Sequence, residues 1–214
     1  MNKKNATVFS TAMLSAGMVL GQGTFQNLGF EQARIIFIPS TAYVATTNAL
    51  PGWTAFYQGN EMTGIHYNAP SAINPVGLVG SSAAVISGSY SVILETDGEI
   101  RQTGAVPADA NSLFFKARWA GMSPVLAVAL GGQSLTLTVI SNTNDYTLFG
   151  VDVSRFSGQV ATLSCSQQGL ARYVLDDFEF SPLLIPEPGV FGLVGVGVLC
   201  FAVRWVHRRA KRGG

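Results

Sequence analysis

Apolar and polar positions alternate along most of the centre of the chain. In Gln133–Ile140 the side chains of Leu135, Leu137 and Val139 fall on one side and Thr136 and Thr138 on the other. That period of two is the mark of a half-buried strand. Val125–Leu130 precedes it, and Gly131-Gly132 between the two can take the positive φ angles of a tight hairpin turn. Further strands are expected at Ile35–Ile38, Tyr43–Thr47, Trp53–Tyr57, Ala83–Ile86, Tyr90–Glu95, Glu99–Thr103, Ser112–Trp119, Tyr146–Val151, Val160–Ser164 and Tyr173–Phe180, with Asp97-Gly98 as a turn. Many short strands, regular turn signals and no convincing helix predict an all-β chain folded as a jelly-roll β-sandwich. Two sheets face to face bury both apolar surfaces.

Two apolar runs do not alternate, and they sit at the two ends. Val8–Leu20 follows Lys3 and Lys4 and leads to Gly21 and Gly23. A basic start, a short apolar run and small residues form the pattern of a cleavable signal peptide, placed at residues 1–21. The competing reading is a buried N-terminal helix. Val190–Val206 is apolar except for Arg204. As a helix it is about 25 Å long, enough for a thin hydrocarbon core. Arg204 can extend toward headgroups, and Trp205 suits the interfacial belt. The tail at 207–214 holds Arg208, Arg209, Lys211 and Arg212, the basic flank that stays on the cytoplasmic side. The expected order is signal peptide 1–21, exported β-sandwich 22–182, linker 183–189, transmembrane helix 190–206 and basic tail 207–214.

Composition agrees with that division. Only 12% of the 214 residues are charged and 48% are hydrophobic, which excludes a disordered chain. The net charge of +1 hides an uneven distribution. Residues 22–185 carry six basic and eleven acidic groups, and the basic excess lies at the ends. Cations are too few and too scattered in the centre for nucleic-acid binding.

Ile185-Pro186-Glu187-Pro188-Gly189 stands just before the C-terminal run. Two prolines make it stiff and extended, an accessible handle beside a bilayer. Pro186, Glu187 and Pro188, the Gly-rich apolar segment and the basic terminus together resemble the PEP-CTERM sorting signal of bacterial exported proteins. That resemblance implies an exosortase, a membrane-embedded cysteine protease, as partner alongside the export machinery, and a place at the cell surface or in extracellular matrix. A plain single-pass anchor after a Pro-Glu-Pro linker is the alternative.

Other phrases concern the centre. Phe25-Gln26-Asn27-Leu28-Gly29-Phe30-Glu31 opens it, Leu50-Pro51-Gly52-Trp53 follows, Val151–Gln159 lies later, and Leu175-Asp176-Asp177-Phe178-Glu179-Phe180 closes it. This order is similar to the galactose-binding-like jelly rolls of carbohydrate-binding modules. The resemblance implies first and last strands side by side and a structural Ca²⁺ with Glu31 and Asp176 or Asp177 as ligands. Ca²⁺ takes oxygen donors of that kind. Solvated carboxylates, or hydrogen bonds between the termini, are the other readings.

Catalytic chemistry is thin. The exported part holds one histidine, His66, and one cysteine, Cys165; Cys200 lies in the apolar C-terminal run. No disulfide can form within the domain, and a zinc site would need a cluster of His and Cys. No nucleophile elbow or phosphate loop is present. Asp97 and Glu99 flank a turn, where solvated carboxylates are the plainer reading. Aromatic side chains are the remaining candidates, because a sugar ring has an apolar face that stacks on an exposed ring. Trp119, Tyr57 and Tyr67, with Tyr43, form the expected platform; Trp53 is assigned to the core. Gln58, Asn60, Asn68 and Asn74 lie in the stretch Gln58–Pro75, where binding loops are expected. The resulting expectation is a non-enzymatic, exported, membrane-anchored envelope or matrix protein that binds polysaccharide or serves as a spacer. The alternative is an exported hydrolase of carbohydrate or ester substrates.

Overall fold

A computed structural model describes residues 23–69, 75–80, 84–121, 125–169 and 171–185. The expected signal peptide, the Pro186-Glu187-Pro188 motif, the apolar segment 190–206 and the basic tail lie outside the described residues. Within them, β-branched and aromatic stretches form fourteen strands. These are β1 (Tyr43–Ala45), β2 (Thr54–Tyr57), β3 (Asn60–Met62), β4 (Gly64–Tyr67), β5 (Val76–Gly80), β6 (Tyr90–Leu94) and β7 (Gly98–Ala105). β8 (Ser112–Gly121), β9 (Val125–Leu130), β10 (Gln133–Ser134), β11 (Thr138–Asn142), β12 (Thr147–Asp152), β13 (Val160–Gln168) and β14 (Ala171–Ser181) follow. Among the described residues helical structure is limited to α1 (Thr46–Ala49) and a 3₁₀ turn at Ser154–Phe156.

The strands make two sheets, one ordered β1-β4-β5-β6-β14-β8-β12-β11 and the other β10-β9-β13-β7-β2-β3. The described pairings are antiparallel except β4 with β5. The all-β jelly-roll sandwich expected from the pattern is the architecture observed. Burial alternates along β7 and β13, with Ile100, Leu163 and Cys165 turned inward and wholly buried. The centre of the core is aromatic. Phe178 stacks on Phe115 at 5.1 Å between ring centroids and meets Trp53 at 5.8 Å and Phe30 edge-on at 6.1 Å. Trp53 is in the core as expected, its indole N–H donating to the Asn27 carbonyl at 3.1 Å.

Several predicted elements change. Gln133–Ile140 is not one strand. The turn forms, with Gly131 and Gly132 at φ +58 and +74, but β10 stays with β9 whereas β11 crosses to β12 in the other sheet. Of Ile35–Ile38 only Phe37 pairs, through a single bridge to Val44. Within Ala83–Ile86, residues 84–86 form no strand; Ala84, Val85 and Ile86 instead cap a small cluster of Val79, Ile93 and Val174 on the outer face of the larger sheet. The expected loop Gln58–Pro75 supplies β3 and β4, and β5 follows it.

The C-terminal end of the sandwich is pinned. Asn111 Nδ2 donates to the Pro182 carbonyl at 2.6 Å and Ser112 Oγ to that of Leu183 at 2.7 Å. Leu183 N–H in turn donates to Ser181 Oγ at 3.2 Å. The chain thus leaves the described domain along the Ser112 end of β8.

Candidate functional site: aromatic clefts and the carboxylate corner

Trp119 lies near the far end of β8. Leu113, Phe115 and Ala117 on the same strand point into the core, so Trp119 shares their face. At this end the opposite sheet no longer covers it, and Trp119 is 46% exposed. Its ring leans on Tyr173 at 6.5 Å. A cleft of about 280 Å³ opens beside it, walled by Arg118 and by the 142–147 turn between β11 and β12. That turn is held from within. Thr143 Oγ1 donates to the Tyr146 carbonyl at 2.9 Å and accepts from the N–H groups of Asp145 and Tyr146. Arg118 donates to the Asp145 carbonyl at 3.4 Å, and Lys116 Nζ stands 5.1 Å from the centre of the Tyr146 ring. The result is an exposed indole set against a rigid, amide-bearing loop. A sugar can lay its apolar face on the one and present hydroxyls to the other. The sequence reading named Trp119 but not this loop. Its signal was available in Asn142-Thr143-Asn144-Asp145, a turn-forming cluster between two strands.

The other expected platform residues are not brought to Trp119. Tyr57 and Tyr43, 40% and 39% exposed, line a separate cleft of about 410 Å³ with Asn60, Glu61, Met62 and Pro75. Tyr67 is half-buried between Phe37 and Tyr90, with ring centroids 6.3 and 6.4 Å away. Asn68 is structural, its Oδ1 accepting from Gly80 N–H at 2.8 Å.

The carboxylates expected at a cation site gather around one corner. The expected adjacency of first and last strands is not found, since β4, β5 and β6 lie between β1 and β14. It is the opening segment, which forms no strand, that touches β14, Phe178 N–H donating to the Leu28 carbonyl at 3.0 Å. Both termini grip the turn before β6. Glu31 accepts from Ser89 N–H through both oxygens at 2.9 and 3.0 Å and from Tyr90 N–H at 3.1 Å. Asp176 is wholly buried; it accepts from Ser87 N–H at 3.1 Å, Ser91 Oγ at 2.6 Å and Asp177 N–H at 2.8 Å. Burial pushes its carboxyl up to about 6, against the lowering effect of those donors. Asp177, at a β-bulge with φ +48, pairs with Lys116 Nζ at 2.6 Å, and this hydrogen bond raises the ammonium. Ca²⁺ takes about six to eight oxygens converging on one point. As placed, these three carboxylates fit N–H, O–H and ammonium donors rather than that cation. Among the described residues no group of three or more His, Cys, Asp or Glu side chains is arranged to hold a metal.

The groups weighed for hydrolysis are also engaged. Glu99 is chelated by Arg101 at 2.6 and 2.7 Å, and Asp97 accepts from Gln58 Nε2 at 3.4 Å. The His66 ring packs against Tyr43 at 3.9 Å, tilted by 58°, with Nδ1 buried and unpartnered. Cys165 is wholly buried, and burial raises its thiol far above the ordinary range.

No protein-family model matches the chain, and no curated protein does. Among solved structures it is similar to a carbohydrate-binding module, TmCBM61, in complex with β-1,4-galactotriose. Identity is 14%, 75% of this chain and 99% of that one are covered, and the TM-score is 0.49. It is also similar to the catalytic unit of a GH87 α-1,3-glucanase from Streptomyces thermodiastaticus strain HF3-3, at 18% identity with a TM-score of 0.36. There 64% of this chain matches 28% of the glucanase unit. What each of those proteins binds or cleaves is its own property.

Proposed function

We propose that this chain is a non-catalytic envelope or matrix protein, exported and held by its C-terminal segment, whose β-sandwich binds polysaccharide at the Trp119 cleft. The observation that carries the binding half is the exposure of Trp119 beside the braced 142–147 turn. An indole left 46% open on an otherwise core-facing row is an unspent apolar surface, and the loop beside it offers amide and carbonyl partners. The non-catalytic half rests on the groups named as hydrolytic candidates, since Glu99 is held by Arg101, Asp97 accepts from Gln58 and Cys165 is wholly buried.

Export and sorting rest on the sequence: the basic-apolar-small start, Pro186-Glu187-Pro188, the apolar run and the basic tail. The proposed course is signal-peptide removal, insertion with the sandwich outside the cytoplasm, and exosortase processing to the cell surface or matrix.

Two experiments test this. The first is affinity electrophoresis of the full chain in mild detergent through gels holding β-1,4-galactan, α-1,3-glucan, alginate or the producing cell's own extracellular polysaccharide. Retardation by at least one gel, weakened in Trp119→Ala, is expected; free migration through all of them refutes the binding reading. The second is mass spectrometry of the mature protein from its own cells. Trimmed ends are expected, and changing Pro186, Glu187 and Pro188 to alanine should alter C-terminal processing without blocking export. An unchanged mass and fractionation refutes the sorting reading.

A further inference from the structure

The Tyr43–Tyr57 cleft is separate from the Trp119 site, yet it repeats the chemistry of that cleft with different residues. Tyr43 comes from β1, at the edge of the larger sheet, and Tyr57 from β2 in the smaller one, so the cleft bridges the seam between the sheets. Each ring is about two-fifths exposed, in a sandwich whose other tyrosines are more covered. Asn60 and Glu61 of the β2–β3 hairpin stand on the rim, and Glu61 makes no ion pair among the described residues. Two open rings beside an amide and a carboxylate suit a ring with apolar faces and a hydroxylated edge. An aliphatic ligand would make no use of Asn60 and Glu61. The volume, about 410 Å³, falls within the roughly 300–1,000 Å³ of small-ligand sites.

Position relates the two clefts. Trp119 is seven residues along β8 from Ser112, which holds the departing chain, so it lies about 24 Å from that exit. Tyr57 pairs with Gly98 at one end of β7. The other end, Ala105, pairs with Val160 and leads into the loop that carries Asn111. Gly98 is thus also about seven residues, or about 24 Å, from the exit end. Both clefts therefore open at the end opposite the exit. Across the larger sheet, β1 and β8 are separated by β4, β5, β6 and β14, which at about 4.8 Å per step places them about 24 Å apart.

We propose that the Tyr43–Tyr57 cleft is a second sugar-binding site, and that the domain engages one polysaccharide at two points on the end away from its C-terminus. The proposal rests on the glycan-binding reading of the Trp119 cleft and extends it. Two linked contacts on one polymer make the second association intramolecular, so polymer avidity exceeds either site alone by about 10²–10⁴-fold where the geometry allows both.

The test compares the full chain with Trp119→Ala, Tyr57→Ala, Tyr43→Ala and the Trp119→Ala/Tyr57→Ala double variant, on the same four polysaccharides and on short oligosaccharides cut from whichever is bound. Tyr57→Phe, which keeps the ring, and an unchanged unfolding midpoint guard against loss of fold. The expected result is two oligosaccharides per wild-type chain, one per single variant and none for the double. Polymer binding should fall about 10²-fold or more in either single variant, with Tyr57→Phe near wild type. One oligosaccharide per chain, with Tyr43 and Tyr57 variants unchanged and Trp119→Ala inactive, overturns the second site and leaves the first. Loss with Tyr57→Ala but not with Trp119→Ala overturns the Trp119 assignment and upholds this one. No retention by any of the four polysaccharides overturns both.

Discussion

Asp176 is buried on β14 with its carboxyl pushed up to about 6, so pH acts on this fold in a direction opposite to that of most carboxylates. In the unfolded chain the same group titrates near 3.8. The folded value is the higher one, so the native state takes up the proton first as pH falls. The stabilising contribution is fully present below the unfolded value and is lost as pH rises through about 6. A gap of about two units, at about 1.4 kcal/mol per unit, gives a contribution on the order of 3 kcal/mol between the two limits. Urea unfolding of the full chain, followed by tryptophan fluorescence between about pH 8 and pH 4.5, measures it. The midpoint should rise on acidification through this window. Asp176→Asn should remove the slope, at a constant cost because the amide turns an N–H toward the Ser87 donor. Excess EDTA should change nothing. Ca²⁺ bound at Asp176 would hold the carboxylate ionised, so added Ca²⁺ would then reverse the slope. A midpoint that is flat or falls from about pH 7 to 5, or a slope retained in Asp176→Asn, refutes the reasoning.

Phe178→Ala removes the ring shared by Phe30, Trp53 and Phe115 and should cost about 3–5 kcal/mol, read as a lower urea midpoint; Phe178→Leu should recover part of it. At Gly88, φ is +60 and a Cβ would collide with the Glu31 carboxylate. Gly88→Ala should therefore cost about 1–3 kcal/mol, more than Glu31→Gln does. Cys165 should resist iodoacetamide in the native chain and react at full rate in urea; native labelling detected by mass spectrometry would show that the buried thiol is reachable. Asp152, held below its ordinary value by the Ser154 N–H at 2.9 Å, contributes stability of the opposite sign to Asp176. That contribution is present above its unfolded value and lost as pH falls through the lowered one.

Strands with clean alternation were legible, since Ser112–Trp119 and Glu99–Thr103 each owe one face to the core. Tyr173–Phe180 is a strand as well, although its alternation is broken by a bulge between Asp176 and Glu179, and Val174 and Asp176 are buried too. β5 was not, because Val76-Gly77-Leu78-Val79-Gly80 is buried on both faces and shows no alternation. Its glycines, poor strand formers, are there for contact: a Cβ on Gly80 would strike the hydroxyl of Tyr67 and the ring of Tyr90. Ile35–Ile38 misled for the converse reason. Its residues favour a strand, but only Phe37 meets an edge partner, and Ile36 and Phe37 stay more than half exposed. Candidate aromatics were visible by type and not by grouping. Nothing in the spacing of Tyr43, Tyr57, Tyr67 and Trp119 says that two share a seam, one is wedged beneath Phe37 and one stands alone. Those groupings depend on strand order, which crosses from β1 to β4 and from β10 to β11.

The strand leading to the C-terminus is also an inner strand of the larger sheet, laddered to β6 on one side and along almost its whole length to β8 on the other. Trp119 rides on that same β8, near the opposite end. Tension drawn between the C-terminal end and anything held at Trp119 therefore runs lengthwise through the β8–β14 ladder. Its hydrogen bonds lie across the line of pull and share the load together, instead of opening one after another like the teeth of a zip.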